Sequence, residues 1–442
     1  MAGALQILPE NTNHHAPHPF ELKNTRRQIR HKKIILNMIW SFLKFFAMML
    51  GILTVVHGFI YFTFVRFIPL LKSSEYRQIL LTIIIILGLS FPVCQLLNHF
   101  LAIPLTRFLS ATAGLWFTVS LYLIMLFILI WIIKGVLLLF PFVNHTGTVL
   151  RNLTLGSLLI ATLFTGYGFF NALEVKTTNV DVAIKNLPAS WESKTILQIS
   201  DVHLGGVWGS GRIEQITKIA QRTKPEVIVI TGDLFDGASG KNETFVASLA
   251  ELETTKPAGG IYFISGNHER YASYTNSISI VKKANIRLLE NDIVNVHGVQ
   301  FIGIQYPDLR SVETMEPPEF EIEKHPEYKK GRPTVLLYHT PTDFKQEKIR
   351  LGDIQRKAYI SPETNFEYAR SLGVDLQLSG HTHAGQFFPF FNITKKIYNG
   401  FHYGLHQVGN FQIYISSGAG TWGPPVRHTV PCEVALLKLH KK

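Results

Sequence analysis

The chain has 442 residues, is 47% hydrophobic and 17% charged, and carries a formal net charge of +12. That length suits two or three domains, and its two cysteines, Cys94 and Cys432, lie too far apart in sequence to form a disulfide framework or a Cys-based zinc site. The positive charge comes without a Lys/Arg stripe interleaved with aromatics, so nucleic acid is not expected as a partner; cationic flanks beside anionic lipid headgroups account for it.

In chain order, residues 1–34 form a basic polar tail with Lys23, Arg26, Arg27, Arg30, Lys32 and Lys33. No apolar core near the start is followed by small residues, so it reads as a disordered cationic anchor, not a cleavable signal peptide. Four apolar runs follow, at about 45–65, 79–97, 109–133 and 153–170, the first preceded by 34–43, a stretch suited to the membrane interface. Each run has roughly the 17–25 residues a helix needs to cross the hydrocarbon layer. The expectation is an all-α transmembrane region of about four helices over 35–172, in contact with the lipid bilayer. Lys44, Arg66 and Lys134 sit at run edges, where long side chains reach headgroups. Nothing in the runs has the paired charges of a transporter. The basic tail favours a cytoplasmic amino terminus, and four crossings return the next domain to the cytoplasm, although Arg66, Lys72 and Arg77 in the first loop oppose this.

From about residue 173 the composition becomes that of a soluble α/β domain, extending to 442. Residues 178–184 read as an edge strand, and the apolar run 196–199 as a buried strand ending at Asp201-Val202-His203. Residues 212–222 place Ile213, Ile216, Ile219 and Ala220 on one helical face, and Thr223-Lys224-Pro225 ends that helix. Val227-Ile228-Val229-Ile230 is then a buried strand ending at Gly232-Asp233, giving the β-α-β crossover pattern. The cycle repeats: a helix over 242–253 with Phe245, Leu249 and Leu252 inward, then a strand over 260–264 ending at Gly266-Asn267-His268-Glu269. Later strands at 334–338 and 374–378 end at His339 and at Gly380-His381-Thr382-His383.

Ligands of open α/β sheets gather beyond the carboxyl ends of the strands, and ligand-type residues fall at five such ends here. Imidazoles, two carboxylates and an amide oxygen are too many for one tetrahedral ion. They suit two ions sharing a bridging carboxylate, and the oxygen–imidazole mixture suits Mn, Fe or Zn. His268 directly follows a ligand-type residue, so its ring can face substrate and protonate a leaving oxygen. Asp236 reads as a turn residue, and His297, His325, His402, His406 and His428 as surface or loop residues, with His402 and His406 the exceptions to expect beside the aromatic Phe401 and Tyr403.

The blocks Asp201-x-His203, Gly232-Asp233, Gly266-Asn267-His268-Glu269, His339 and Gly380-His381-Thr382-His383 resemble the five signature blocks of the calcineurin-like metallophosphoesterases, in family order. Residues 380–386 and the tail Ser417-Gly418-Ala419-Gly420-Thr421-Trp422-Gly423-Pro424-Pro425-Val426-Arg427 resemble the membrane-associated, YkuE-like bacterial branch. The resemblance covers about 178–440. It implies a four-layer α/β/β/α sandwich of two facing mixed sheets. It also implies Asp201, His203 and His383 on a first metal, Asp233 bridging, Asn267, His339 and His381 on a second, and His268 as general acid or transition-state partner. It further implies a phosphoesterase that attacks a phosphate ester or pyrophosphate with a metal-bound hydroxide, in a bacterial plasma membrane.

Anchoring makes a lipid-linked phosphate attractive as substrate, with soluble nucleotides and phosphoproteins open. The competing reading is a catalytically silent membrane receptor or scaffold on the same fold, which the complete ligand set disfavours. Two departures stand out. Ala384 occupies a place where this branch usually has glycine, and the long segments 305–332 and 340–370 follow strands, where they either cap the site or lie on the surface.

Overall fold

The computed structural model describes Trp40, Lys44 and residues 47–139, 146–237, 242–271, 273–307, 320–344 and 361–442. The basic tail and most of 34–43 lie outside the described residues. The chain forms two compact units, Met1–Gly58 and Phe59–Lys442. The described part of the first is chiefly the start of helix α1 (Ala47–Phe67), where Thr54 Oγ1 donates back to the Leu50 carbonyl at 2.8 Å.

The second unit holds the end of α1 and helices α2 (Ser74–Leu101), α3 (Pro104–Leu137) and α4 (Thr146–Leu173). All four helices are long and apolar enough to cross a membrane. Helices α2, α3 and α4 outrun the apolar runs of the sequence, because polar residues at their ends still satisfy main-chain groups by helical bonding. Aromatic contacts join α1 to α3: Trp131 Nε1 donates to Thr63 Oγ1 at 3.0 Å, and Phe64 meets Phe127 edge-on at 5.3 Å. Lys134 lies 4.4 Å from the Trp131 ring, so this edge cation is held against an aromatic face.

The α/β part opens with β1 (Val175–Ile184), β2 (Thr195–Ile199), β3 (Val227–Thr231), β4 (Ile261–Ile264) and β5 (Arg287–Leu288). A second sheet takes β6 (Asp292–Val296), β7 (Val299–Gly303), β8 (Thr334–Leu337), β9 (Leu376–Ser379), β10 (Gly404–Val408) and β11 (Phe411–Ile415). The last strand, β12 (Cys432–Lys441), returns to the first sheet between β1 and β2, so the orders are β1-β12-β2-β3-β4-β5 and β10-β11-β9-β8-β7-β6. Both sheets are mixed. Within them β2, β3 and β4 run parallel, as do β7, β8, β9 and β11.

Between the sheets lies a core that includes Ile196, Val227, Val229, Phe301, Leu337 and Leu378, closed by Trp191, whose Nε1 donates to the Val296 carbonyl at 2.8 Å. The outer face of the first sheet packs on α5 (Ser210–Thr223), α6 (Val246–Ala250) and, past α7 (Asn267–Tyr271), on α8 (Tyr274–Lys283). Ile213, Ile216, Ile219 and Ala220 are the buried face of α5, and Lys224 ends it in a left-handed conformation ahead of Pro225. The helix expected over 242–253 is broken into a 3₁₀ turn, α6 and a second 3₁₀ turn. Thr254 and Thr255 hydroxyls bond three residues back at 2.6 Å and tighten its end. Phe245, Leu249 and Leu252 are still buried.

The outer face of the second sheet carries a thin layer, made among the described residues of α9 (Glu367–Ser371) with Phe320, Tyr328, Phe344 and Phe366. The described ends of both long segments therefore pack there, under apolar side chains. Their central parts, 308–319 and 345–360, lie outside the described residues, and so does the capping role expected of them.

Candidate metal centre

Because β2, β3 and β4 are parallel, and β8 and β9 likewise, the loops after them open at one end of the sandwich. Asp201 and His203 follow β2, Asp233 follows β3, His339 follows β8, and His381 and His383 follow β9; Asn267 and His268 open α7 after β4. Five of these residues take the left-handed backbone region: Asp201 (φ 50°), His203 (φ 52°), Asp233 (φ 52°), His381 (φ 73°) and His383 (φ 49°). Each such non-glycine conformation costs about 1–3 kcal/mol, and such strain concentrates where side chains are held for a purpose. Ala384 is in the same region (φ 51°), where glycine would sit without steric penalty.

The structure brings six of the seven sequence-derived candidate ligands into two adjoining groups, with Asn267 against the second. Asp201, His203 and His383 form one, and Asp233, His339 and His381 the other. In the first, His203 Nε2 and His383 Nε2 face each other at 2.9 Å, with Asp201 Oδ1 3.5 Å from His383 Nε2. In the second, Asp233 Oδ2 is 3.2 Å from His339 Nε2, and Asn267 Oδ1 is 3.1 Å from His339 Nε2 and 2.9 Å from His381 Nδ1. The same Asp233 Oδ2 is 3.9 Å from His203 Nε2, so one carboxylate oxygen stands between the groups.

The ring tautomers fit cation binding. His339 Nδ1 donates to the Thr231 carbonyl at 2.8 Å, and a carbonyl only accepts, so Nε2 is the nitrogen left for a cation, which would displace any proton it carries. His203 Nδ1 faces the Asp236 carboxylate at 3.4 Å, which turns its Nε2 the same way. Buried lone pairs that converge on one another repel unless a cation lies among them. The donor set is thus suited to divalent metal ions.

Opposed electrostatic pressures act on these groups. Burial works to raise Asp233, but His339 and His268 beside it hold its carboxyl well below the usual range. Burial and the charge of Asp233 push Asp201 up. Burial works to lower His339, but Asp233, Asp201 and the Thr231 carbonyl together raise it to about 9, whereas burial and then His339 drive His381 down to about 3. Glu269 is raised to about 7 by burial and by Asp233.

Sequence reasoning missed the groups that hold the ligand loops. Glu269 accepts from three main-chain amides, Asp233 N at 2.9 Å, Phe235 N at 3.0 Å and Gly266 N at 2.7 Å, tying two ligand loops together. Its place in the fourth position of the Gly266–Glu269 block was the available signal. Asp236, expected to be only a turn residue, is buried against His203. Arg427, fully buried, donates from Nη2 to the Ser417 and Gly420 carbonyls at 2.6 Å and from Nη1 to the His383 carbonyl at 3.0 Å. His402 is one of the two expected exceptions among the remaining histidines, and His428 is a half-buried loop residue. The first is buried with its carbonyl accepting from Thr382 Oγ1 at 2.6 Å, and the second packs on Phe164 of α4 at 4.2 Å.

Two glycines are demanded by close approach. A Cβ on Gly380 would collide with Ser200 Oγ and Asp201 Oδ2, and one on Gly266 with Asp233 Oδ1. Above the two groups is a cavity of about 450 Å³ with Asp233, Asn267, His268, His381 and His383 on its floor. His268 Nδ1 donates to the Asp236 carbonyl at 2.6 Å, leaving Nε2 as the ring's free nitrogen.

Two mixed sheets with these ligand groups at their strand ends make a metallophosphoesterase fold. The sequence profile described as Calcineurin-like phosphoesterase matches residues 194–385, and the chain belongs to that family. An uncharacterized metallophosphoesterase of Aquifex aeolicus (strain VF5) is 30% identical over 290 residues, 64% of this chain and 99% of that protein. A metallophosphoesterase of Helicobacter pylori (strain ATCC 700392 / 26695) is 30% identical over 249 residues, 56% of this chain and 60% of that one. A transmembrane protein with metallophosphoesterase domain from Bos taurus is 30% identical over 296 residues, 64% of this chain and 61% of that protein. The chain thus spans about 60% of the length of the Helicobacter and Bos taurus relatives.

Proposed function

We propose that the protein is a membrane-anchored phosphoesterase that uses two divalent metal ions to hydrolyse a phosphate ester or pyrophosphate, with a lipid-linked phosphate as substrate. The observation that carries this reading is Asp233, whose Oδ2 stands between the two ligand groups while His268 borders the same cavity.

Asp201, His203 and His383 would hold one cation, Asn267, His339 and His381 the other, and Asp233 both. The oxygen and imidazole donors suit Mn, Fe or Zn. When bound, the cations lower the pKa of water and offset the charge that builds on the phosphoryl oxygens. The chain's own part is positioning and proton transfer. Glu269 and Arg427 fix the ligand loops, and the Asp236 carbonyl orients the His268 ring toward the cavity. Water's oxygen bonds to phosphorus as the ester P–O bond breaks; the leaving oxygen takes the proton of His268 Nε2, and the attacking water gives up one proton to solvent, from which His268 is protonated again. Burial, and next in order among the lowering influences His203, depress His268 below its ordinary value; the negative charge of a bound phosphate raises it again. Four apolar helices in the same chain support anchoring in a bilayer; the plasma membrane of a bacterial cell and a cytoplasmic catalytic part are the rest of this reading, and the basic tail favours that side.

The test is phosphate release from an aryl phosphate by full-length protein supplied with Mn, Fe(II) or Zn. His268→Ala and Asp233→Asn should each lower kcat at least about 100-fold. Variants that match the wild type would eliminate the catalytic reading. Tight phosphate binding with no turnover in the wild type would favour the receptor instead.

A further inference from the structure

The cavity above the metal centre has a polar floor and an apolar wall. Phe387, Phe390, Ile397, Tyr398 and Trp422 line the side away from the ligands. Phosphoryl chemistry needs the floor alone, so the wall is shaped for whatever the phosphate is attached to.

That wall continues onto the surface. Helix α10 (Phe390–Ile397) has no buried residue, and Lys395 and Lys396 stand in its last turn. Phe388, Phe390 and Ile393 are 43%, 39% and 46% exposed, and Trp422 is 59% exposed. Exposed aromatic and aliphatic side chains with basic residues on one short helix are the composition of a segment lying in the headgroup layer.

The same rim adjoins the membrane helices. Gln386 Nε2 donates to the carbonyls of Trp422 at 3.1 Å and Pro424 at 3.0 Å, so the Trp422 loop is tied to the turn that leads into α10. Two residues on, Pro424 and Pro425 press on α3, where a Cβ added to Gly114 would lie 3.1 Å from Pro424 Cα. His428 then packs against Phe164 of α4 at 4.2 Å. With 34 residues, α3 is roughly 50 Å long, about 20 Å more than the apolar layer is thick. Gly114 is in its first third and near the start of the apolar run 109–133, so the loop that carries Trp422 meets α3 near one edge of that run.

We propose that α10 and Trp422 dip into the membrane that the helices cross, and that the cavity behind them admits the apolar part of a lipid phosphate directly from the bilayer. The phosphate reaches the centre while its acyl-bearing portion stays against Phe387, Phe390 and Trp422. The substrate half of this inference rests on the phosphoesterase reading; the membrane contact of α10 does not.

Full-length protein in phosphatidylcholine vesicles separates the two. The tryptophan emission lost on Trp422→Phe is that of Trp422. Lipid brominated close to the headgroup should quench it by at least half, and aqueous iodide should leave it nearly intact. Full quenching by iodide and none by brominated lipid would overturn the membrane contact. The double variant Phe388→Ser/Ile393→Ser should lower kcat/KM on diacylglycerol phosphate in the vesicles at least tenfold, with aryl phosphate turnover within twofold of the wild type. Equal losses on both substrates, or no loss on the lipid, would overturn the entry route. Turnover of glycerol phosphate in solution as fast as of the diacyl compound would overturn the substrate class. Absence of turnover on every phosphate ester would sink the phosphoesterase reading and the lipid substrate with it, and the quenching result would still decide the contact.

Discussion

Asn98, buried near the end of α2, donates from Nδ2 to the carbonyl of Gly205 at 2.7 Å, two residues beyond the candidate ligand His203. It also donates to Gly206 O at 3.0 Å and accepts from Thr106 Oγ1 at 2.9 Å. A polar side chain in an apolar helix is thus fully used in gripping a ligand loop. The helical part of this unit therefore does more than tether the sheets: it helps set the position of the β2 loop.

Replacing that side chain tests the coupling. Asn98→Leu keeps the volume and strands two carbonyls and a hydroxyl in a buried place, at a cost of about 1–3 kcal/mol. Loosening of the His203 loop should weaken metal binding about tenfold, as loss of outer supporting contacts does. Competition with a fluorescent chelator measures this. Unchanged metal affinity at reduced thermal stability would confine Asn98 to holding the helices.

Gly380→Ala should abolish metal binding while the secondary structure survives. The added methyl collides with Ser200 Oγ and Asp201 Oδ2, and Asp201 also accepts from His381 N at 3.0 Å, so the β9 and β2 loops must move apart. Overpacking of this kind costs typically 1–3 kcal/mol. Elemental analysis of the purified variant, beside its far-ultraviolet circular dichroism, is the measurement; two bound metals per chain would contradict it.

Metal removal should destabilise the protein sharply. The left-handed conformations of Asp201, His203, Asp233, His381 and His383 store strain, and their buried donors repel one another. Ligands that bind only the folded state stabilise it in proportion to the logarithm of their concentration over Kd. Treatment with EDTA should lower Tm by at least about 5 °C, and readdition of Mn or Zn should restore it. An identical Tm with and without chelator would contradict the strain argument.

Asp375 provides a pH test away from the centre. Burial raises its carboxyl to about 6 from an ordinary 3.8, although the Thr334 amide donates to it at 2.9 Å. The native state therefore binds this proton more tightly than the unfolded chain. The resulting stability is fully present below about pH 4 and is lost as pH rises through about 6. Asp375→Asn keeps an acceptor for Thr334 and carries no charge. Its Tm relative to the wild type should rise across that window and then level off. A difference that does not change between pH 4 and pH 7 would refute the assignment.

Among the candidate ligands and the groups around them, what could be read in advance and what could not divide cleanly. Asp201, His203, Asp233, Asn267, His339, His381 and His383 were legible because each sits where an apolar run stops, and a strand's end is a local event. Glu269 and Asp236 carry the same side chain types a few positions on. Their roles depend on which amide or ring lies opposite, and no spacing rule supplies that. Arg427 and Asn98 were further out of reach. Arg427 meets His383 across 44 residues and Asn98 meets Gly205 across 107.

The sequence by itself determined the four apolar helices, the parallel βα succession and the set of metal-type side chains, since each follows from periodicity or composition within a few consecutive residues. Only the tertiary structure decided that one oxygen of Asp233 stands between two ligand groups, that α2 and α3 hold the loops beside them, and that an aromatic wall faces the polar floor. Those facts are distances between segments remote along the chain. They are set by how the two sheets and the helices pack, through burial and hydrogen bonds that no local stretch contains.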